Sequence, residues 1–86
     1  MMASDVLNKL KWTGKLKGCE IVIRHRGAES DEKTISGSDV TEVKKSYFLY
    51  RNGKETFIPM HRILEVRAGG KVIWRKLQHK NVKKRD

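Results

Sequence analysis

Apolar residues come in short separated runs, and their spacing changes once, close to the start of the chain. In "SDVLNKLKW" (4–12), Val6, Leu7 and Leu10 fall at i, i+1 and i+4, the one-sided stripe of a short amphipathic helix. Ser4 or Asp5 can cap its first turn by accepting a backbone N–H, and Asp5 also complements the helix dipole. Trp12 is expected to cover the end of the stripe, as core rather than as a stacking platform. A helix this short is marginal by itself in water, so the stripe must pack on something. Gly14 ends it, and "TGKLKG" is a turn-rich connector.

Beyond that point the runs read as strands. "EIVIRHR" (20–26) is rich in β-branched residues and lies between Gly18 and Gly27. Strict alternation puts Ile21, Ile23 and His25 on one face and Val22, Arg24 and Arg26 on the other. "GAESDEK" (27–33) is a polar loop, "TIS" a short extended piece and "GSD" a turn. "VTEVKKSYFLYR" (40–51) could open with a helical turn, but Val40, Val43, Tyr47, Phe48 and Tyr50 favour a single strand. "RNGK" (51–54) signals a hairpin, because Asn-Gly suits the two positive φ angles of a type I′ turn. The returning "ETFI" ends at Pro59, the only proline, which cannot donate to a ladder. "RILEVR" (62–67), the turn "AGG" and "KVIWRK" (71–76) complete the set. Turns account for Gly27, Gly53, Gly69 and Gly70.

The pattern predicts an α+β fold, with one N-terminal helix packed on a strongly bent, mostly antiparallel sheet or half-barrel of about five strands. Residues 1–76 form the expected compact domain. Residues 77–86, with one Leu, one Val and no aromatic, are expected to be a flexible basic tail or a frayed helix until a partner binds.

Composition narrows the class. The chain has 86 residues, 37% hydrophobic and 35% charged, which suits one small domain with a modest core. Cys19 is the single cysteine, which excludes an internal disulfide and a zinc site built on cysteines. No apolar run reaches the ~20 residues that span a bilayer. The start also lacks the pattern of a signal peptide, so a cytoplasmic location is expected. Net charge is +10 with a pI of about 10.1. Residues 75–86 carry +5 of that charge and residues 1–74 carry the other +5, so the body is basic without its tail. This is the footprint of a polyanion binder, and it points to nucleic acid ahead of a solubility role. A membrane surface fits less well, because no apolar stripe opposes the tail's charges.

Two His-Arg pairs stand out in this basic background, His25 and Arg26 in "IVIRHRG" and His61 and Arg62 in "IPMHRIL". Arg offers a fork of donors that matches two phosphate oxygens, and a neighbouring His adds a donor or a charge. Two such pairs would clamp a terminal phosphate, with Tyr47, Tyr50 or Trp74 stacking on the last base. Plainer readings stand beside this one. His25 aligns with Ile21 and Ile23 and could be a half-buried histidine satisfied by a backbone carbonyl. Arg24 and Arg26 could be ordinary solvated charges, and Trp74 core. His79 falls in the tail and reads as incidental. No nucleotide-binding glycine loop and no nucleophile elbow is present, and the three histidines are too scattered to imply a metal. No cofactor is implied. The catalytic alternative is general acid–base work by His25 and His61 on a cyclic phosphate, which makes a two-histidine phosphodiesterase or ribonuclease.

Together, "SDVLNKLKW", "IVIRHRG", "DEKTISGSDV", "FIPMHRILEV" and "GGKVIWRK" resemble the RNA cyclic group end recognition domain, over about residues 4–76. That family comprises short archaeal proteins and domains of larger eukaryotic ones. The resemblance implies recognition of RNA ends, most simply 3′ ends, that carry a 2′,3′-cyclic phosphate or a related group. It also implies a reader of RNA rather than a cutter. A further alternative is an accessory subunit that docks an RNA-processing enzyme through its exposed strand edges, and a small-molecule ligand is not expected. Carried over to this chain, the first motif falls on His25, Arg26 and Gly27 and the second on Pro59, His61, Arg62 and Ile63. Asp5 and Asn8 match the helix motif, and Asn8 and Arg24 join the candidate phosphate contacts. Two residues after each histidine stand Gly27 and Ile63, where two-histidine phosphoesterases usually place Ser or Thr.

Overall fold

The structure, a computed structural model, describes residues 2–27 and 31–76. The tail (77–86) and His79 lie outside the described residues. The helix α1 spans Ala3–Trp12. The strands are β1 (Cys19–Arg24), β2 (Glu32–Ser36), β3 (Val40–Val43), β4 (Tyr47–Asn52), β5 (Lys54–Pro59), β6 (Ile63–Ala68) and β7 (Lys71–Arg75). They form two antiparallel sheets, a four-stranded one in the order β2-β1-β6-β7 and a three-stranded one in the order β3-β4-β5. The α+β class follows the sequence pattern, but the strands among the described residues number seven and are divided between two sheets.

The difference has a local cause. Residues 40–51 are two strands, because the polar residues 44–46 form a hairpin in which the Lys44 N–H donates to the Tyr47 carbonyl at 2.8 Å. The Asn-Gly hairpin is also tighter than a type I′ turn. Asn52 pairs with Lys54, so Gly53 alone turns the chain, at φ +92°.

Helix α1 begins one residue earlier than the pattern suggests. Met2 occupies the cap position, so neither Ser4 nor Asp5 does; Asp5 instead reaches back and accepts the Met2 N–H at 3.2 Å. Val6 and Leu7 are buried, and Leu10 packs against the core. Trp12 does not cover the stripe and is 86% exposed. At roughly 100° per residue, it projects from the side of the helix opposite Ala3, Val6, Leu7 and Leu10.

The inner faces of both sheets share one core with α1. Ile21, Ile23, Ile63 and Val66 come from the larger sheet, Phe48, Tyr50 and Ile58 from the smaller. Tyr50 is therefore core, with its hydroxyl accepting from Lys33 Nζ at 3.2 Å, and it is not a platform for a base. Next to Val66 in β6, Glu65 is buried and ion-paired with Arg67 at 2.9 Å and with Arg75 of β7 at 3.5 Å. Two short 3-10 turns carry the chain between sheets. Gly37–Asp39 leads from β2 into β3, and Met60–Arg62 leads from β5 back into β6.

Candidate functional site

The return through Met60–Arg62 decides where the two His-Arg pairs meet. β6 runs antiparallel to β1 with Ile63 opposite Ile23. The residues leaving β1 and the residues entering β6 therefore arrive at the same end of the sheet. Arg62 completes the junction by donating from Nη2 to the backbone carbonyl of Arg24 at 2.9 Å.

The side chains then diverge. His25 has left the strand, its backbone N–H donates to the Asp31 carbonyl at 2.8 Å, and the residue is exposed rather than half-buried. Arg26 and Gly27 are exposed in the turn that follows, where Gly27 has φ +95°, a backbone that favours glycine. His61 is exposed on the other side of the junction, and its carbonyl accepts from Lys76 Nζ.

His61 lines an open groove of about 1370 Å³. One wall is the first half of α1, with Ala3, Ser4, Asp5 and Asn8; another is residues 43–46; Met60, His61, Trp74, Arg75 and Lys76 close the remainder. The predicted residues Asn8, His61 and Trp74 thus share one cavity, whereas Arg24, His25, Arg26, Gly27 and Arg62 do not line it. Tyr47 lies elsewhere, half-buried with its ring 4.7 Å from that of Phe57, which is 55% exposed.

The groove is basic. Lys44, Lys45, His61, Arg75 and Lys76 face one carboxylate, Asp5, and that carboxylate already accepts the Met2 N–H. Lys44 pairs with Glu42 at 3.5 Å and Arg75 with the buried Glu65. The Lys45 ammonium makes no hydrogen bond or ion pair with the described residues, which leaves it available to an anion. The first turn of α1 adds the positive end of its dipole. Among the described residues no cluster of three or more His, Cys, Asp or Glu could hold a metal ion, and no helix is long and apolar enough to cross a membrane. Lys44, Lys45, Ser46 and Lys76 were not evident as site residues in the sequence. Their one signal is the polar "KKS" that interrupts the apolar run of 40–51.

Comparison with known proteins gives the chain a family. The family model described as the MJ1316 RNA cyclic group end recognition domain matches residues 1–76. The chain belongs to this family. A UPF0248 protein of Methanocaldococcus jannaschii is 43% identical over 79 residues, covering 87% of this chain and 94% of the relative. A UPF0248 protein of Saccharolobus solfataricus is 34% identical over 80 residues, covering 88% and 98%. One from Pyrobaculum aerophilum is 43% identical over 64 residues, covering 73% and 82%. No solved structure matches the chain. The family span ends at Lys76, the last residue of the groove wall, so the whole groove lies inside it.

Proposed function

We propose that the protein binds RNA ends bearing a 2′,3′-cyclic phosphate or related terminal phosphate, and that the groove beside His61 receives that phosphate. The observation that carries this reading is the convergence of His61, Lys45 and the first turn of α1 on one open cavity within the family's span. A terminal phosphate is compact, and donors from several elements can surround it in a way that a duplex backbone does not permit. Ammonium and imidazole N–H groups form charge-assisted hydrogen bonds with phosphate oxygens, each stronger than a neutral one. Asn8 can hydrogen-bond the terminal ribose or phosphate from the α1 wall, and the half-buried Trp74 forms an apolar side of the groove. His25 and Arg26, at the same sheet end but outside the groove, are placed to meet the chain that leads to the terminus.

The test compares one short RNA in two forms, ending in a 2′,3′-cyclic phosphate or in a 3′-hydroxyl. The cyclic end should bind more tightly, and His61→Ala and Lys45→Ala should each reduce that preference about tenfold. Equal affinity of the unmodified protein for both ends would sink the proposal.

A further inference from the structure

Trp12 is the most exposed large apolar side chain among the described residues, at 86%, and nothing in the fold requires it there. Its place on α1 suggests what it does. At roughly 100° per residue, Asp5, Asn8 and Trp12 fall on one side of the helix, away from the buried stripe. Asp5 and Asn8 line the groove, and Asn8 also borders a second, smaller concavity formed with Lys11 and Trp12. The two depressions therefore adjoin at Asn8. Trp12 follows Asn8 by four residues, about 6 Å along the helix axis, so the two stand one turn apart on the same side of α1.

We infer that the Trp12 indole is the stacking platform for the base of the nucleotide whose terminal phosphate enters the groove. This rests on the end-binding reading and adds the part of the ligand that the groove leaves outside. The occupant follows from charge. Lys9, Lys11 and Lys15 surround this end of α1, and none of them forms an ion pair with a described residue. A second copy of a chain carrying +10 would be repelled from that surface, whereas an RNA end is drawn to it. An indole stacks on any base, since every base presents a π face, so the platform serves end recognition without demanding a sequence.

The experiment uses the full chain and a short RNA with a 2′,3′-cyclic phosphate, together with the same RNA lacking its terminal base. Trp12→Ala should weaken binding of the complete RNA about tenfold and leave binding of the abasic RNA unchanged, while Trp12→Phe stays within about threefold of the parent. RNA should quench tryptophan emission in the parent and much less in Trp12→Phe. The exposed position makes these variants safe for folding. Equal affinity of Trp12→Ala and the parent for the complete RNA overturns the assignment. So does a concentration-dependent dimer in sedimentation that Trp12→Ala abolishes, because the surface would then join copies of the chain. Neither result touches the preference for a cyclic over a hydroxyl end, so loss of that preference separately identifies a failure of the end-binding reading.

Discussion

Arg62 holds the Arg24 carbonyl with its guanidinium, Nη2 to oxygen, at 2.9 Å. The contact joins residues 38 apart in sequence and fixes the corner between the two sheets against the end of β1. It also separates the roles within the second His-Arg pair. Arg62 is engaged with backbone, and His61, one residue earlier, is the member that lines the groove.

Arg62→Ala should therefore act first on stability. Losing a charge-assisted hydrogen bond at a partly exposed site should cost about 1 kcal/mol. Arg26→Ala, in an exposed turn, should stay within about 0.5 kcal/mol of the parent. Urea midpoints of the two variants check the contrast. Equal midpoints would mean that the Arg62 contact carries no weight in the fold.

Much of this architecture is legible in the sequence. The stripe of Val6 and Leu7 locates the buried face of α1, Pro59 marks the end of β5, and the paired glycines mark the turn between β6 and β7. What stayed hidden had physical reasons. Residues 44–46 turn the chain without glycine, proline or asparagine, so the hairpin between β3 and β4 leaves almost no local signal. Trp12 counts as apolar in any pattern, although its angular position already sets it opposite the stripe. The lining of the candidate groove was legible in part. His61, Asn8 and Trp74 line the groove, but the two His-Arg pairs only approach one end of the sheet: Arg62 donates to the carbonyl of Arg24, the residue before His25, because β1 ends at Arg24 and His25 leaves the ladder. Lys44 and Lys45 were missed with the turn that presents them.

Gly37 is a packing constraint rather than a conformational one. A Cβ added there would lie 1.9 Å from the Leu16 carbonyl oxygen and 3.0 Å from that of Cys19. Both obstacles are backbone, so the Leu16–Gly18 turn would have to move. Gly37→Ala should destabilise the fold by about 2–3 kcal/mol, read as a lowered urea midpoint. A variant as stable as the parent would show that the two turns can separate freely.

Burial raises the Cys19 thiol above its ordinary value of 9.0, and its S–H donates to the Lys15 carbonyl at 3.3 Å. A protonated thiol is favoured in the folded state, so this contribution is complete below pH 9.0. It is lost as pH rises from there through the raised value, because the unfolded thiol ionises first. Stability should fall over that alkaline window in the parent, and Cys19→Ala should fall less steeply even if it starts lower. Native protein at neutral pH should also react slowly with a thiol reagent and quickly once unfolded. Rapid reaction under native conditions would contradict the buried position.

The groove lysines should be distinguishable from the tail by salt. Each phosphate neutralised on single-stranded RNA contributes about 0.7 to the slope of log affinity against log salt concentration. Lys45 has no partner among the described residues, whereas Lys44 shares its charge with Glu42. Lys45→Ala should thus flatten the slope more than Lys44→Ala, by up to about 0.7 for a full phosphate contact. If Lys45 meets the terminal phosphate, its removal should also narrow the gap between cyclic-phosphate and hydroxyl ends. Removing residues 77–86 should flatten the slope while weakening both RNAs alike, because those charges meet the backbone wherever it lies. The decisive comparison is the ratio of the two affinities in each variant. A ratio lost on truncation but kept in Lys45→Ala would move end recognition out of the groove and into the basic C-terminal segment.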